Sequence, residues 1–177
     1  SEQSEPSIAI DMDNNVYVVW TDEREGSNDI YGASSNSGPW TNRPVVSDSG
    51  NAYDQSSPAL AVENSGSRLH LAWIDNSGGD SDIFYAQTSG GIPTTLLTGN
   101  SSITDDPTES DQMSPAISVS GSSGSNLKVF VVWEDERNAD SDLYFAQIGS
   151  GIGSNIFVGD SDTNSEQKAP AIGLDKL

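Results

Sequence analysis

The sequence contains no cysteine and only one histidine, His70. Disulfides and thiolate metal sites are therefore excluded, and a Ser-His-Asp catalytic site would have a single candidate base. Lysine is confined to Lys128, Lys168 and Lys176, whereas Asp and Glu together number 27 and give a net charge of −20. Because phosphate is repelled by such a surface, the composition argues against nucleic acids and anionic membranes as partners.

The sequence also lacks any run of about 18 apolar residues, so no membrane insertion is predicted. Residues 1–4 do not have the basic and apolar regions of a signal peptide, so if the protein is secreted, its signal is expected upstream of them. An acidic surface rich in Ser and Asp is typical of extracellular or high-salt proteins. The predicted location is extracellular or at the cell surface, with the periplasm as an alternative.

A repeat is present instead. An acid-Gln-x-x-Pro phrase occurs four times, ending at Pro6, Pro58, Pro115 and Pro170. A second phrase occurs three times, centred on Trp20, Trp73 and Trp133. Each Trp is followed by an acid two residues later, by Asp nine residues later and then by an apolar-aromatic pair. Because two independent phrases keep step, the chain is predicted to repeat one unit of about 50 residues.

Each unit contains four short β-rich runs bounded by turn residues, as strands are. The first runs are 7–11, 59–63, 116–120 and 171–175; the second are 16–20, 69–73 and 129–133; the third are 29–33, 82–86 and 142–146; the fourth are 44–47, 94–98 and 155–159. Four strands per repeat predict an all-β propeller with three four-stranded blades, residues 1–54, 55–111 and 112–166. Residues 167–177 are predicted as the first strand of a fourth blade. An open β-sandwich is the alternative fold.

Residues 18–31 carry a more specific pattern, V-V-W-T-D-E-R-E-G-S-N-D-I-Y. This resembles the W-x-D-x-R-x-G-x-x-D-I-Y repeat of TolB-like propellers, which are common in bacterial and archaeal surface proteins. Residues 134–137 keep the pattern, whereas Asn76 and Ser77 depart from it in the middle unit. The resemblance implies a propeller that binds proteins or glycans, but it does not fix an activity.

Three blades do not close a ring, because propellers have at least about four. Two copies of the chain are therefore predicted to form a homodimer that completes a six-bladed ring. The alternative is that the chain is a segment of a larger propeller.

Sorting the loops by strand direction assigns nearly all acids to one end. The opposite end is assigned equal numbers of acids and bases: Asp11, Asp13, Glu63 and Asp175 with Arg43, Arg68, Lys128 and Lys176. A strongly acidic face attracts cations and basic proteins, so Ca²⁺ or a basic protein is a predicted partner. The alternative is a set of solvated loops that keep the protein soluble.

Candidate calcium ligands lie in the loops that follow the second strands of the second and third units. They are Asp75, Asp80, Asp82, Asp135, Asp140 and Asp142. Carboxylates suit calcium, but an Asp that recurs in every unit also caps turns. Residues 160–166 space their oxygens like the start of an EF-hand loop but lack its glycine and final glutamate, so a plain polar loop is the simpler interpretation.

Three residues are candidates for ligand binding. Trp40 has no counterpart in the other units and is the best candidate for a residue that stacks on a sugar, although local packing is the favoured interpretation. Asp54 and Asp111 belong to the acid-Gln phrase at the acidic end. A glycan is therefore a further predicted partner.

No catalytic residue is assigned. His70 aligns with Tyr17 and Phe130, so it is predicted to be a packing or half-exposed aromatic position. Glycoside hydrolysis needs two carboxylates, but the prominent acids here recur in every unit, whereas a catalytic pair should break the symmetry. The predicted function is a non-catalytic extracellular binding or assembly module. The alternative is a fragment of a glycan-active propeller enzyme of the glycosidase or sialidase type.

Overall fold

A computed structural model describes residues 1–37, 39–47, 53–64, 68–97, 99–121, 127–138, 140–159 and 165–174. Within these ranges the chain is all-β, apart from one short 3-10 turn at Ser35–Ser37. No helix among these residues is long and apolar enough to cross a membrane. The predictions for Asp175, Lys176 and the loop 160–164 lie outside the described residues.

The strands form three antiparallel sheets, each with four strands in chain order. The first sheet contains β1 (Gln3–Ile10), β2 (Val16–Asp22), β3 (Asp29–Ser34) and β4 (Arg43–Val46). The second contains β5 (Gln55–Val62), β6 (Leu69–Asp75), β7 (Asp82–Gln87) and β8 (Ser101–Ser102). The third contains β9 (Gln112–Ser120), β10 (Lys128–Asp135), β11 (Asp142–Ile148) and β12 (Ile156–Phe157). The repeat of four strands is therefore confirmed.

The first strand of each sheet begins earlier than predicted, at the glutamine of the acid-Gln phrase. Gln55 pairs with Asp75 and Ala59 with Ala72, so residues 57–58 together stand opposite Trp73. Two residues opposite one make a β-bulge, and the first of them, Ser57, has a positive φ of 50°. The bulge shifts the alternation of faces, and both Gln55 and Leu60 are consequently buried.

The fourth strand of the second sheet differs from the prediction. It lies at Ser101–Ser102 rather than at 94–98. The predicted segment contacts the first sheet instead, where the Leu97 N–H donates to the Val45 carbonyl at 2.9 Å. The Leu97 side chain packs against the core shared by the first two sheets. A contact between sheets thus overrides the local strand pattern.

Consecutive sheets pack against each other through two apolar clusters. The first junction, between the first and second sheets, buries Tyr17 and Ile30 with Leu71 and Trp73. The second junction, between the second and third sheets, buries Ile83 with Trp133 and its neighbours. Each such side chain contributes about 1.5–3 kcal/mol when fully buried. These junctions place β1, β5 and β9 side by side.

The last acid-Gln-x-x-Pro copy does not form the predicted strand in residues 165–174. The Gln167 N–H donates to the Ser141 carbonyl at 2.6 Å, as Gln55 does to Asn28 and Gln112 to Ser81. The segment therefore docks on the third sheet as β5 and β9 dock on the sheets before them. It gains no strand character because no described residue supplies a second strand beside it.

Candidate functional site

The bulges of the three first strands line one groove of about 370 Å³, called here the central groove. Its walls are residues 5–7, 57–60 and 114–117. Because β1, β5 and β9 begin where β2, β6 and β10 end, the groove lies in the half of the molecule nearer the acidic loops. Three strand edges thus converge on a single concave surface.

Glu5 supplies the negative charge of the central groove. Its carboxylate accepts hydrogen bonds from the Thr21 hydroxyl at 2.8 Å, the Ser57 N–H at 2.8 Å and the Ser57 hydroxyl at 2.9 Å. Partial burial raises the pKa of Glu5, but these hydrogen bonds outweigh it and leave the pKa below its ordinary value. Glu5 is therefore an ionised acceptor that also links the first sheet to the second.

The repeated Trp-x-Asp phrase has a structural explanation. Asp22 accepts a hydrogen bond from the Trp20 indole at 2.9 Å and another from the backbone N–H of Arg24 at 3.0 Å. Asp135 accepts the same pair of contacts from Trp133 and Arg137. Each guanidinium also pairs with its aspartate through two nitrogens, and this holds the pKa of Asp22 far below its ordinary value.

The guanidinium groups also contact aromatic rings of the neighbouring strands. Arg24 lies over the Tyr31 ring and Arg137 over the Tyr144 ring, each at 4.2 Å from the ring centre. Ser77 replaces the arginine in the second sheet, where Asp75 still accepts a hydrogen bond from the Ser77 backbone N–H. The acids at these loop starts are consequently occupied by cap and ion-pair contacts.

The structure places Asp75 opposite Asp82 and Asp135 opposite Asp142 at the ends of paired strands, but gives most of the six candidate calcium ligands other partners. Asp75 and Asp135 hold the turns just described, Asp142 accepts a hydrogen bond from Asn138 at 3.0 Å, and Asp82 accepts one from Thr104. Burial and the nearby Asp80 raise the pKa of Asp82. One oxygen of Asp140 is buried without a hydrogen-bond partner among the described residues.

No three carboxylate or histidine side chains in the described part of the chain lie close enough together to hold a metal ion. Calcium binding therefore stays a prediction.

The three candidate binding residues have different surroundings. Trp40 is 56 % exposed in the connection between β3 and β4. Asp54 accepts the Asn28 N–H at 2.8 Å, and Asp111 accepts the Ser81 N–H at 3.0 Å. Because Asn28 and Ser81 belong to the preceding sheets, these two aspartates connect consecutive sheets. Their binding role stays a prediction.

His70 is fully buried, as a packing position would be rather than a half-exposed one, and it is hydrogen-bonded at both ring nitrogens. Nδ1 lies 2.7 Å from the Tyr85 hydroxyl, and Nε2 lies 3.1 Å from Glu63 Oε1. Burial lowers the pKa of His70, and the imidazole is accordingly neutral. Since the Glu63 carboxylate only accepts, Nε2 carries the proton and the Tyr85 hydroxyl donates to Nδ1.

Sequence reasoning missed this Glu63–His70–Tyr85 chain. The third sheet has Ser120, Phe130 and Phe145 at the same positions relative to its proline and tryptophan. The signal was therefore a difference between the second and third units at three positions, which only the strand register brings together. Burial raises the pKa of Tyr85 to about 12, and the nearby Glu63 adds to the shift.

No known family model and no curated protein matches this sequence. Solved structures do share its fold. A glycoside hydrolase candidate from Parabacteroides distasonis matches with a TM-score of 0.58 at 13 % identity, over 90 % of this chain and 53 % of its own. A glycosyl hydrolase from Bacteroides ovatus matches with a TM-score of 0.53 at 12 % identity, over 89 % and 51 %. Polysaccharide lyase Uly1 matches with a TM-score of 0.53 at 11 % identity, over 98 % and 43 %.

These likenesses establish a shared β-sheet architecture, since identities this low do not carry activity. The chain spans about half the length of the solved structures that it matches.

Proposed function

We propose that the chain forms three consecutive blades of a β-propeller that acts on or binds glycans outside the cell, with the central groove as its glycan site. The observation that carries this proposal is the convergence of three first strands on one groove. Ligand sites of repeat folds lie where equivalent elements converge. The solved structures of similar fold are described as a glycosyl hydrolase or a polysaccharide lyase, and this supports a glycan ligand.

The chemistry of the central groove suits a sugar. Glu5 and the hydroxyls of Ser57 and Ser114 offer hydrogen-bond acceptors and donors for sugar hydroxyls. The rings of Pro6 and Pro115 add apolar wall. A concave surface with a few polar groups on an apolar wall is the usual form of a small-molecule site.

Cleavage needs more than this groove contains. Glycoside hydrolysis uses two carboxylates, about 5–9.5 Å apart, on either side of the bond. Glu5 is the only carboxylate among the described residues that line the central groove. The chain by itself is therefore expected to bind glycans, and further blades of a complete ring would supply the second acid.

Ring completion follows from the two open sheet faces. Ile8 in β1 is 62 % exposed, whereas Leu60 at the same position in β5 is 7 % exposed because the first sheet covers it. Ile156 and Phe157 at the other end of the array are exposed as well. A second copy of the chain fits these faces, because each junction within the chain already joins the same two surfaces.

Glycan binding is tested on a glycan array with and without calcium, followed by cleavage assays on each glycan that binds. Glu5→Gln should weaken binding at least tenfold, and Asp13→Asn, an exposed acid at the opposite end, should leave it unchanged. Thermal unfolding of both variants separates binding from stability, because Glu5 also links two sheets. Absence of any glycan binding by the folded protein would contradict the proposal.

Ring completion is tested by light scattering over a range of protein concentrations. A mass of twice 18.7 kDa supports the pairing of two copies. A monomer at all concentrations would contradict it. Ile8→Lys should shift the equilibrium toward monomer, and Met12→Lys, another exposed apolar position, provides the matched control.

A further inference from the structure

A second groove of about 550 Å³ opens between the second and third sheets, at the end opposite the acidic loops. We call it the junction groove; its lining includes Tyr85, Gln87, Lys128, Gln147 and Ile148. It uses the starts of β6 and β10 and the ends of β7 and β11. It is therefore separate from the central groove, which lies along the first strands.

The first junction closes the equivalent space. Gly32 occupies the position that Tyr85 has in the second sheet, and Ile92 Cδ1 lies only 2.9 Å from where a Cβ on residue 32 would sit. Ile92 thus fills the first junction because residue 32 has no side chain.

Ile152 occupies the position of Ile92 in the next repeat, but it is 42 % exposed. A tight turn pairs it with Ile148 of its own sheet. The Tyr85 ring takes the space that would otherwise receive an isoleucine. The second junction is consequently left open as a groove.

The hydrogen-bonding role of the Tyr85 hydroxyl is set by its contact with His70 in the Glu63–His70–Tyr85 hydrogen-bond chain. Its hydroxyl hydrogen is directed to His70 Nδ1, so its oxygen lone pairs remain to accept a hydrogen bond from a ligand. Gln87 and Gln147 offer amide donors and acceptors, and Lys128 adds a positive charge. Leu127, Val129 and Ile148 form an apolar side.

We propose that the junction groove binds the uronic acid unit of an acidic glycan. The hydroxyls of such a sugar match Tyr85 and the two glutamines, and its carboxylate matches Lys128. An anion is repelled by the acidic loops and is admitted at the opposite end, where acids and bases are more nearly balanced. The saccharide part of this assignment rests on the proposed glycan function, whereas the anion part rests on the groove alone.

The test is a titration of the ¹⁵N-labelled protein with sodium glucuronate, with glucose and sodium chloride at matched ionic strength as references. Glucuronate should produce its largest amide shifts at Lys128, Val129, Gln147 and Ile148. Glucose should bind at least tenfold more weakly, and sodium chloride should give no saturable shift.

Two variants identify the recognising groups. Lys128→Gln should weaken glucuronate binding at least tenfold, and Tyr85→Phe should weaken it several-fold while keeping the aromatic ring. Lys168→Gln, which removes a base at the acidic end, is the matched control and should have no effect.

Equal shifts with glucose and glucuronate, or binding unaffected by both variants, would overturn the proposal. Glu5→Gln, measured in parallel, separates the two sites. Loss of glucuronate binding in that variant alone would assign the ligand to the central groove and overturn the junction groove. If no glycan on the array binds but the glucuronate shifts are intact, the assignment of the central groove as a glycan site would be overturned instead.

Discussion

At the first junction Ile92 packs over Gly32, whereas at the second junction Ile152 stays exposed and Tyr85 faces a groove. The strand pairing around the two junctions is the same, with β6 pairing β7 as β2 pairs β3. The filled and the open junction therefore differ at two repeat positions, Gly32 against Tyr85 and the packed Ile92 against the exposed Ile152. A repeat array can acquire a site in this way without altering its framework.

The largest expected effect on stability comes from replacing His70 in the second sheet with phenylalanine, the residue at the equivalent position, Phe130, in the third sheet. His70→Phe removes the Nε2–H that donates to the buried Glu63 carboxylate and leaves only Arg68, at 3.5 Å, beside it; this should cost about 3 kcal/mol of unfolding free energy. Urea unfolding measures this change. The double variant Glu63→Ser with His70→Phe copies the third sheet and should recover at least half of the loss. If the single variant were as stable as the double variant, the proposed coupling of Glu63 and His70 by a buried hydrogen bond would be contradicted.

The next effect distinguishes the two isoleucines. Ile92→Ala empties part of the first junction and should cost about 2 kcal/mol. Ile152→Ala, at the same repeat position but exposed, should change stability by less than about 0.5 kcal/mol. Thermal unfolding of the two variants under identical conditions is the measurement. Equal losses would mean that both junctions are filled alike.

A pH dependence should distinguish the second sheet from the others. The folded pKa of His70 lies below its ordinary value of 6.5, so below pH 6.5 the unfolded chain takes up a proton that the folded chain resists. The free energy of unfolding should fall as pH falls, by at most about 1.4 kcal/mol per pH unit from this group. The double variant without Glu63 and His70 should show a flatter profile between pH 7.5 and 5.5. Identical profiles would contradict the assignment.

The smallest effect compares the arginines. Arg137→Lys loses a two-nitrogen contact with Asp135 and the planar stack on Tyr144, and should cost about 1 kcal/mol. Arg24→Lys should cost less, because Arg24 is the more exposed of the two. Chemical denaturation of the pair tests this order, and a reversed order would show that burial does not control it.

Much of the framework was predictable because Trp20 and its counterparts keep the same neighbours. The strands β3, β7 and β11 begin at the predicted aspartates. The predicted position of the fourth strand in the second sheet was wrong, because the hydrogen bond between Leu97 and Val45 joins residues of different sheets. Local patterns carry no information about such a contact.

The candidate sites were harder to predict for the same reason. His70 and Tyr85 lie on the neighbouring strands β6 and β7, and Glu63 directly follows β5. Only the register of these three strands brings the side chains together. The central groove likewise depends on how β1, β5 and β9 pack. Trp40 is exposed, although local packing was the favoured interpretation of its sequence position, because no repeated neighbour covers it in the structure.

The β-bulges of β1, β5 and β9 affect how readily the protein can aggregate through its strand edges. β1, β5 and β9 are edge strands of their sheets, and a free edge is a template on which another extended chain can add and start an aggregate. Each of these edges contains a proline, which has no N–H to donate, next to a residue with positive φ that bends the strand. Three neighbouring edges are thereby protected from fibril-like growth by the same features that shape the groove.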